Sequence, residues 1–90
     1  MANHKSALKR MRQNERRRLR NRHVKSTMKS YIKSFLESVE GGDSTTAKER
    51  LKDTISYIDK AATKGVIHKK NASRKISRLT RKYNVLTAGS

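Results

Sequence analysis

The sequence predicts an all-α protein, an antiparallel three-helix bundle whose long N-terminal helix projects beyond the core. Three observations predict it. The 90-residue chain has no Pro, and its Gly residues fall at positions 41, 42, 65 and 89, leaving three long segments free of helix breakers. Each segment carries apolar residues at steps of three and four, the spacing that lines one side of an α-helix. In the first segment that stripe covers only half the length, and the other half is crowded with arginine.

Within the first segment, Val24, Met28, Tyr31, Ile32, Phe35, Leu36 and Val39 form a wide apolar stripe, so all three aromatic residues on these stripes, Tyr31, Phe35 and Tyr83, read first as core. Upstream the stripe fades to Ala7, Leu8, Met11 and Leu19. One domain, 1–90, is therefore expected to comprise a basic projecting helix over 1–22, a bundle over 23–86 and a tail over 87–90. A helix continuous from about Lys5 to Glu40 would be roughly 50 Å long, with about half of it beyond the core. Ser26, Ser30, Ser34 and Ser38 recur at i,i+4 on this helix. Close packing through small residues is the simpler reading, and phosphate contact at Ser26 and Ser30 the alternative.

Gly41-Gly42 ends the first helix, and Asp43 to Thr46 offers N-caps, with Thr46 and Glu49 fitting a capping box. Ala47, Leu51, Ile55, Ile58, Ala61 and Ala62 stripe the second helix, which Gly65 is placed to stop in a left-handed conformation. Ala72, Ile76, Leu79, Tyr83 and Leu86 stripe the third. Short connections give an up-down-up order in which the first and third helices run parallel. The turn over 64–70 then lies near Arg22 and His23, and two basic segments meet at one end. Asp59, in the last turn of the second helix, opposes the helix dipole and is expected to pair with a Lys or Arg of a neighbouring helix.

Charge bounds the function more tightly than fold does. The chain holds 24 Lys and Arg against 7 Asp and Glu, a net charge of +17. Residues 1–22 contribute +8 and residues 60–90 contribute +9, while the other six acids lie between Glu37 and Asp59. Self-repulsion on this scale weakens an isolated fold, so an anionic partner is expected. Apolar residues make up 32%, Trp is missing and Cys is missing, which excludes disulfides and thiolate metal sites and fits a reducing cytoplasm. The longest apolar runs are two or three residues, so a soluble chain without a membrane span or a standard secretion signal is expected.

The stretch NERRRLRNRH, residues 14–23, has Glu15 as its one acid and Leu19 as its one sizeable apolar side chain. On a helix, Lys5, Lys9, Arg12, Arg16 and Arg20 follow one face, Arg10 and Arg17 a second, Arg18 and Arg22 a third. Like charges at i,i+4 each cost a few tenths of a kcal/mol, so this helix needs a partner outside the protein. A membrane surface would engage one face and requires an apolar face beside it, which is missing. A rod cationic all round suits a crevice between phosphate backbones, where arginine forks bond phosphate oxygens and counterion release supplies affinity. A solvated tail or an import signal is the bland reading, made less apt by the second basic segment at the same pole.

No aromatic platform, GXXG loop, helix-turn-helix or zinc-finger spacing occurs, so recognition rests on shape and backbone. Structured RNA is favoured over duplex DNA, with a histone-like, DNA-compacting protein as the alternative. Catalysis has little to stand on. Glu49 and Asp53 share a face at i,i+4 but sit among Lys48, Arg50 and Lys52, which reads as an ion-paired surface. His4, His23 and His68 lack metal-ligand spacing, so no enzyme, metal, cofactor or small-molecule substrate is expected. His68 reads equally as a cap of the third helix or as a phosphate contact, and His23 leans towards RNA.

Two stretches carry a family resemblance. Ala2 to Arg10 and Arg17 to Arg22 with Lys25-Ser26 form the first. Ile58 to Ala62, Lys64 to Lys69, and Ala72, Arg74, Lys75, Ser77, Arg78 and Leu79 form the second. Together they resemble the family of bacterial small-subunit ribosomal proteins numbered twenty, over almost the whole chain. The resemblance implies a three-helix bundle in the bacterial ribosome that binds 16S ribosomal RNA directly and early in assembly. Its long helix would bridge the 5′ domain and the long helix near the 3′ end. Lys70 and Ile76 depart from the pattern, which more often has Asn after His-Lys and a basic residue before Ser-Arg-Leu. Asn71 is adjacent to the first departure, and Ile76 reads as core.

The expected RNA contacts on the first helix are Asn3, Lys5, Ser6, Lys9, Arg10, Arg12, Arg16, Arg17, Arg18, Arg20, Asn21, Arg22, His23, Lys25, Ser26 and Lys29. From the second basic segment they are Lys64, His68, Lys69, Lys70, Asn71, Arg74, Lys75 and Arg78.

Overall fold

A computed structural model describes the backbone of residues 2–88 and the side chains of residues 6–88. The side chains of Asn3, His4 and Lys5 and the tail residues Gly89 and Ser90 lie outside the described residues. Three helices follow one another, α1 (Ala2–Glu40), α2 (Ser44–Thr63) and α3 (Lys69–Ala88), with no strand among the described residues. Thr87 and Ala88, assigned to a tail from sequence, continue α3. At 39 residues α1 is about 58 Å long, most of the molecule's 69 Å long axis. The radius of gyration, 17.9 Å, compares with about 12 Å for a compact domain of this size.

Both connections close by the same device. Gly42 (φ 72°) and Gly65 (φ 78°) are left-handed, a conformation that costs glycine little and a β-carbon much. Around Gly42, the amides of Gly42 and Asp43 donate to the carbonyls of Val39 and Ser38; around Gly65, those of Gly65 and Val66 donate to Ala62 and Ala61. These are Schellman closures, and they satisfy carbonyls that each helix end would otherwise leave open. Asp43 then starts α2 as its N-cap, accepting from the Thr46 amide (3.2 Å) and hydroxyl (2.6 Å). Thr46 is thus inside the helix, not the cap of a Thr46/Glu49 box: an extended backbone at Asp43 lets the earlier side chain reach the free amides first. These hydrogen bonds, led by that from the Thr46 hydroxyl, hold the Asp43 carboxyl below its ordinary range.

Phe35, Thr54 and Ile58 are fully buried at the centre, with Met28, Ala47, Leu51, Ala72 and Leu79 around them. Ile32, Leu36, Ile55, Ile76 and Tyr83 pack on that cluster half-buried. Arg50 donates to the Ser34 carbonyl (2.7 Å), and the Thr54 hydroxyl lies 2.6 Å from the Arg50 carbonyl and 3.3 Å from that of Tyr31. These contacts join α1 to α2 and show α2 running back along α1. Tyr31 is more exposed than the core reading implied, at 38%, and stacks on Tyr57 with centroids 5.0 Å apart. The serine stripe divides. Ser38 is buried and donates to the Phe35 carbonyl, whereas Ser26 and Ser30 are exposed.

Two expected charge pairings are absent. Among the described residues Asp59 forms no ion pair, although Lys69 lines the same α2–α3 crevice. Glu49 and Asp53 are likewise exposed and unpaired among the described residues, and Arg50 turns inward to the Ser34 carbonyl. An exposed pair gains too little to hold two long side chains in one geometry. No helix among the described residues is long and apolar enough to cross a membrane.

Candidate nucleic-acid interface

The candidate interface begins with what α1 does not bury. Every described side chain from Ser6 to Arg20 is exposed, and burial starts only at Asn21 and Val24. Residues 2–20 span about 28 Å, and near the base of this length Arg17 and Arg20 face the α2–α3 turn. Leu8, Met11 and Leu19 are the large apolar side chains on it, all more than half exposed. Among the described residues no carboxylate pairs with any of its arginines. Their charge is therefore uncompensated within the protein, while their helical spacing distributes it around the rod.

Two concave surfaces organise these cations. Along one face of α1, Asn14, Arg17, Arg18, Asn21, Arg22, Lys25, Ser26 and Lys29 line an open strip. Beside it, Arg17, Arg20 and Asn21 face Lys64, Gly65 and Val66 across a cleft of about 610 Å³. The α2–α3 turn thus meets α1 at 17–21, about one turn further out than the Arg22 and His23 position expected from sequence. The turn itself is closed by the Schellman hydrogen bonds around Gly65. A β-carbon at Gly65 would meet nothing within 4 Å, so its φ of 78°, rather than crowding, is what calls for glycine.

His68 resolves into a cap. Its carbonyl accepts from the Ala72 amide, and its Nδ1 accepts from the Lys70 amide at 3.2 Å. An accepting Nδ1 in a neutral ring leaves the hydrogen on Nε2. The ring is exposed, so that N–H is available to an acceptor outside the protein and the two readings of His68 are compatible.

Of the other expected contacts, Arg17, Arg18, Arg20, Asn21, Arg22, Lys25, Ser26, Lys29 and Lys64 come together on these two surfaces. Ser6, Lys9, Arg10, Arg12, Arg16 and His23 are exposed elsewhere along α1. Lys69, Lys70, Asn71 and Arg74 are exposed at the start of α3, while Lys75 and Arg78 lie further along it, lining an open cleft between α3 and α1. Asn14 was not singled out from sequence. The signal was present, since it shares the i,i+4 and i,i+7 face of Arg18 and Asn21, but a neutral amide does not stand out among arginines. Among the described residues no group of three or more His, Cys, Asp or Glu side chains could hold a metal.

Comparisons with known proteins agree over nearly the full chain. A family model described as ribosomal protein S20 matches residues 2–84. A protein of Trichlorobacter lovleyi is 59% identical over 86 residues, covering 96% of this chain and 99% of the relative. One from Geotalea daltonii is 56% identical over 87 residues, with 97% and 100% covered. One from Desulfotalea psychrophila is 53% identical over 88 residues, with 98% and 99% covered. All three relatives carry the name small ribosomal subunit protein bS20.

Proposed function

The chain belongs to the ribosomal protein S20 family, and from that premise we propose that it binds 16S ribosomal RNA directly and stabilises its folding as the subunit assembles. It is a structural, non-enzymatic protein of the small ribosomal subunit. Its place of work is the bacterial cytoplasm. The RNA regions engaged are the 5′ domain and the long helix near the 3′ end, with the rod of α1 lying between their phosphate backbones.

One observation carries this reading: a long helix whose arginines surround it, all exposed and none ion-paired among the described residues, with Lys64 brought against its base. A helix of that kind gains nothing from its own fold. It gains when phosphates replace the missing counter-charge, and a rod reaches two backbones at once where a patch reaches one. Arginine outnumbers lysine there, which favours bidentate phosphate contacts.

The test is binding to a folded 16S transcript across a salt series, with duplex DNA as competitor. About six or more phosphate contacts give a log-log slope of about minus four or steeper. Arg16→Ala, Arg17→Ala and Arg20→Ala together are expected to make that slope shallower by about two. A wild-type slope near minus one rejects the crevice, and equal competition by duplex DNA favours the histone-like alternative.

A further inference from the structure

The bundle is open on one side. Helix α2 packs closely on both neighbours, whereas α1 and α3 barely meet. The molecule's width of 21 Å is close to what two interaxial steps of about 9 Å require. Between α1 and α3 this leaves a cleft of about 420 Å³, floored by Ile32, Leu36 and Leu79. Its rim is formed by Lys75, Arg78 and Lys82, with Arg81 beside them, and no acid lines it. An apolar floor inside an all-cationic rim fits an occupant with a flat apolar face and negative charge on either side of it.

The position of the cleft narrows the occupant further. The basic strip on α1 ends at Lys29, and the cleft begins at Ile32, one helical turn along the same face. On α3 the cations continue from Lys69, Lys70 and Arg74 at the pole to the rim of the cleft. The cleft is thus a continuation of the cationic surface and not a separate patch. A second copy of the chain is a poor occupant, because each copy carries +17.

We infer that the α1–α3 cleft holds an unstacked base of the bound RNA, its ring against the half-buried Ile32 and Leu36 and its flanking phosphates on the rim cations. This rests on the proposed function and adds to it a non-ionic contact. Ring faces are common to all bases, so the cleft selects an unpaired, splayed nucleotide rather than a sequence.

Two variants and one mapping experiment on the full chain test it, with the 16S 5′ domain transcript as probe. Arg81→Gln with Lys82→Gln alters exposed side chains only and is expected to make the salt slope shallower by about one. Leu36→Asn is expected to weaken binding about tenfold with the slope unchanged, since a stacked base releases no counterions. Photocrosslinking of a 4-thiouridine transcript to the wild type should reach residues 32–36 or 79–82.

Wild-type slope and affinity in the rim variant, with crosslinks ending at Lys29, overturns the inference. If the triple arginine variant still weakens binding in that case, the proposed function stands without it. A wild type that binds the transcript without salt dependence removes both. Binding of palmitate or an acidic amphipathic peptide that the rim variant loses, with transcript binding unchanged, also overturns it. Should Leu36→Asn lose helicity, the rim variant and the crosslinks decide alone.

Discussion

The two halves of α1 share one unbroken backbone and almost nothing else. From Val24 to Val39 the helix is held by burial: Phe35 is fully covered, Met28 nearly so, and Arg50 and Thr54 tie its carbonyls to α2. From Ser6 to Arg20 no described side chain is covered. Intrahelical hydrogen bonds alone hold that stretch, against repulsion between arginines one turn apart. Helical shape in one half is a product of the fold, and in the other it is a readiness to be completed by something anionic. Isolated helices of that length are marginal in water, so continuity with the packed half is what nucleates the rod.

The largest expected effect breaks the comparison at its packed end. Phe35→Ala removes the largest fully buried side chain and is expected to cost about 3–5 kcal/mol. Total stability for a chain of this size is on the order of 5–13 kcal/mol, so much of the margin disappears. The triple alanine substitution at Arg16, Arg17 and Arg20 is expected to change stability by no more than about 0.5 kcal/mol, because those residues touch no core. Urea denaturation measures both. A triple variant as unstable as Phe35→Ala would mean that the rod is part of the folding unit.

A smaller effect sharpens the contrast. Amides from Met28 to Leu36 exchange with solvent through opening of the bundle, whereas those from Lys9 to Arg20 exchange by local fraying. Hydrogen exchange on the free protein is expected to be protected only in the first group. If RNA supplies the missing counter-charge, as proposed, the ordering it imposes is subtracted from affinity. On binding, rod amides are expected to slow on the order of a hundredfold, about 2.7 kcal/mol, while those of the packed half change little. Strong protection of Lys9 to Arg20 in the free monomer at low salt would make the rod self-sufficient.

What could be read from the sequence follows the same division. The apolar stripes, both glycine stops and the fading of the stripe before Val24 are local patterns, and each corresponds to a feature of the structure. Thr54 was invisible as a core residue because its hydroxyl is satisfied by a carbonyl of the preceding turn, a solution that leaves no mark in hydropathy, whereas the packing reading of the serine stripe holds at Ser38. Arg50 looked like any other surface cation until α2 placed it over the Ser34 carbonyl. Ile32 and Leu36 read as core on any helical wheel. That they floor a cleft depends on the separation of α1 from α3, which no single helix encodes. On the rod the sequence shows which residues are cationic, but the strip and the cleft at its base depend on where the α2–α3 turn lands.

The smallest effect concerns the joint between the packed half of α1 and α2, and acid is the probe that reaches it selectively. Asp43 follows the left-handed Gly42 and caps α2, and its carboxyl is held below the ordinary value of 3.8 chiefly by the Thr46 hydroxyl. A carboxyl whose folded pKa is depressed binds its proton more weakly folded than unfolded. Its stabilising contribution is therefore complete above 3.8 and is lost as pH falls through the lower folded value. Asp43→Asn keeps a side-chain acceptor for the Thr46 amide but has no carboxylate to protonate. Thermal unfolding of wild type and variant, followed by circular dichroism from neutral pH to well below 3.8, should show the wild type more stable at neutral pH and the difference shrinking at the acid end. Acid should then loosen the joint between α1 and α2 through Asp43. Unfolding curves for the two proteins that stay equally far apart over the whole range would mean that the Asp43 charge contributes nothing, and that any acid loss of stability arises from growing net charge on the bundle as a whole.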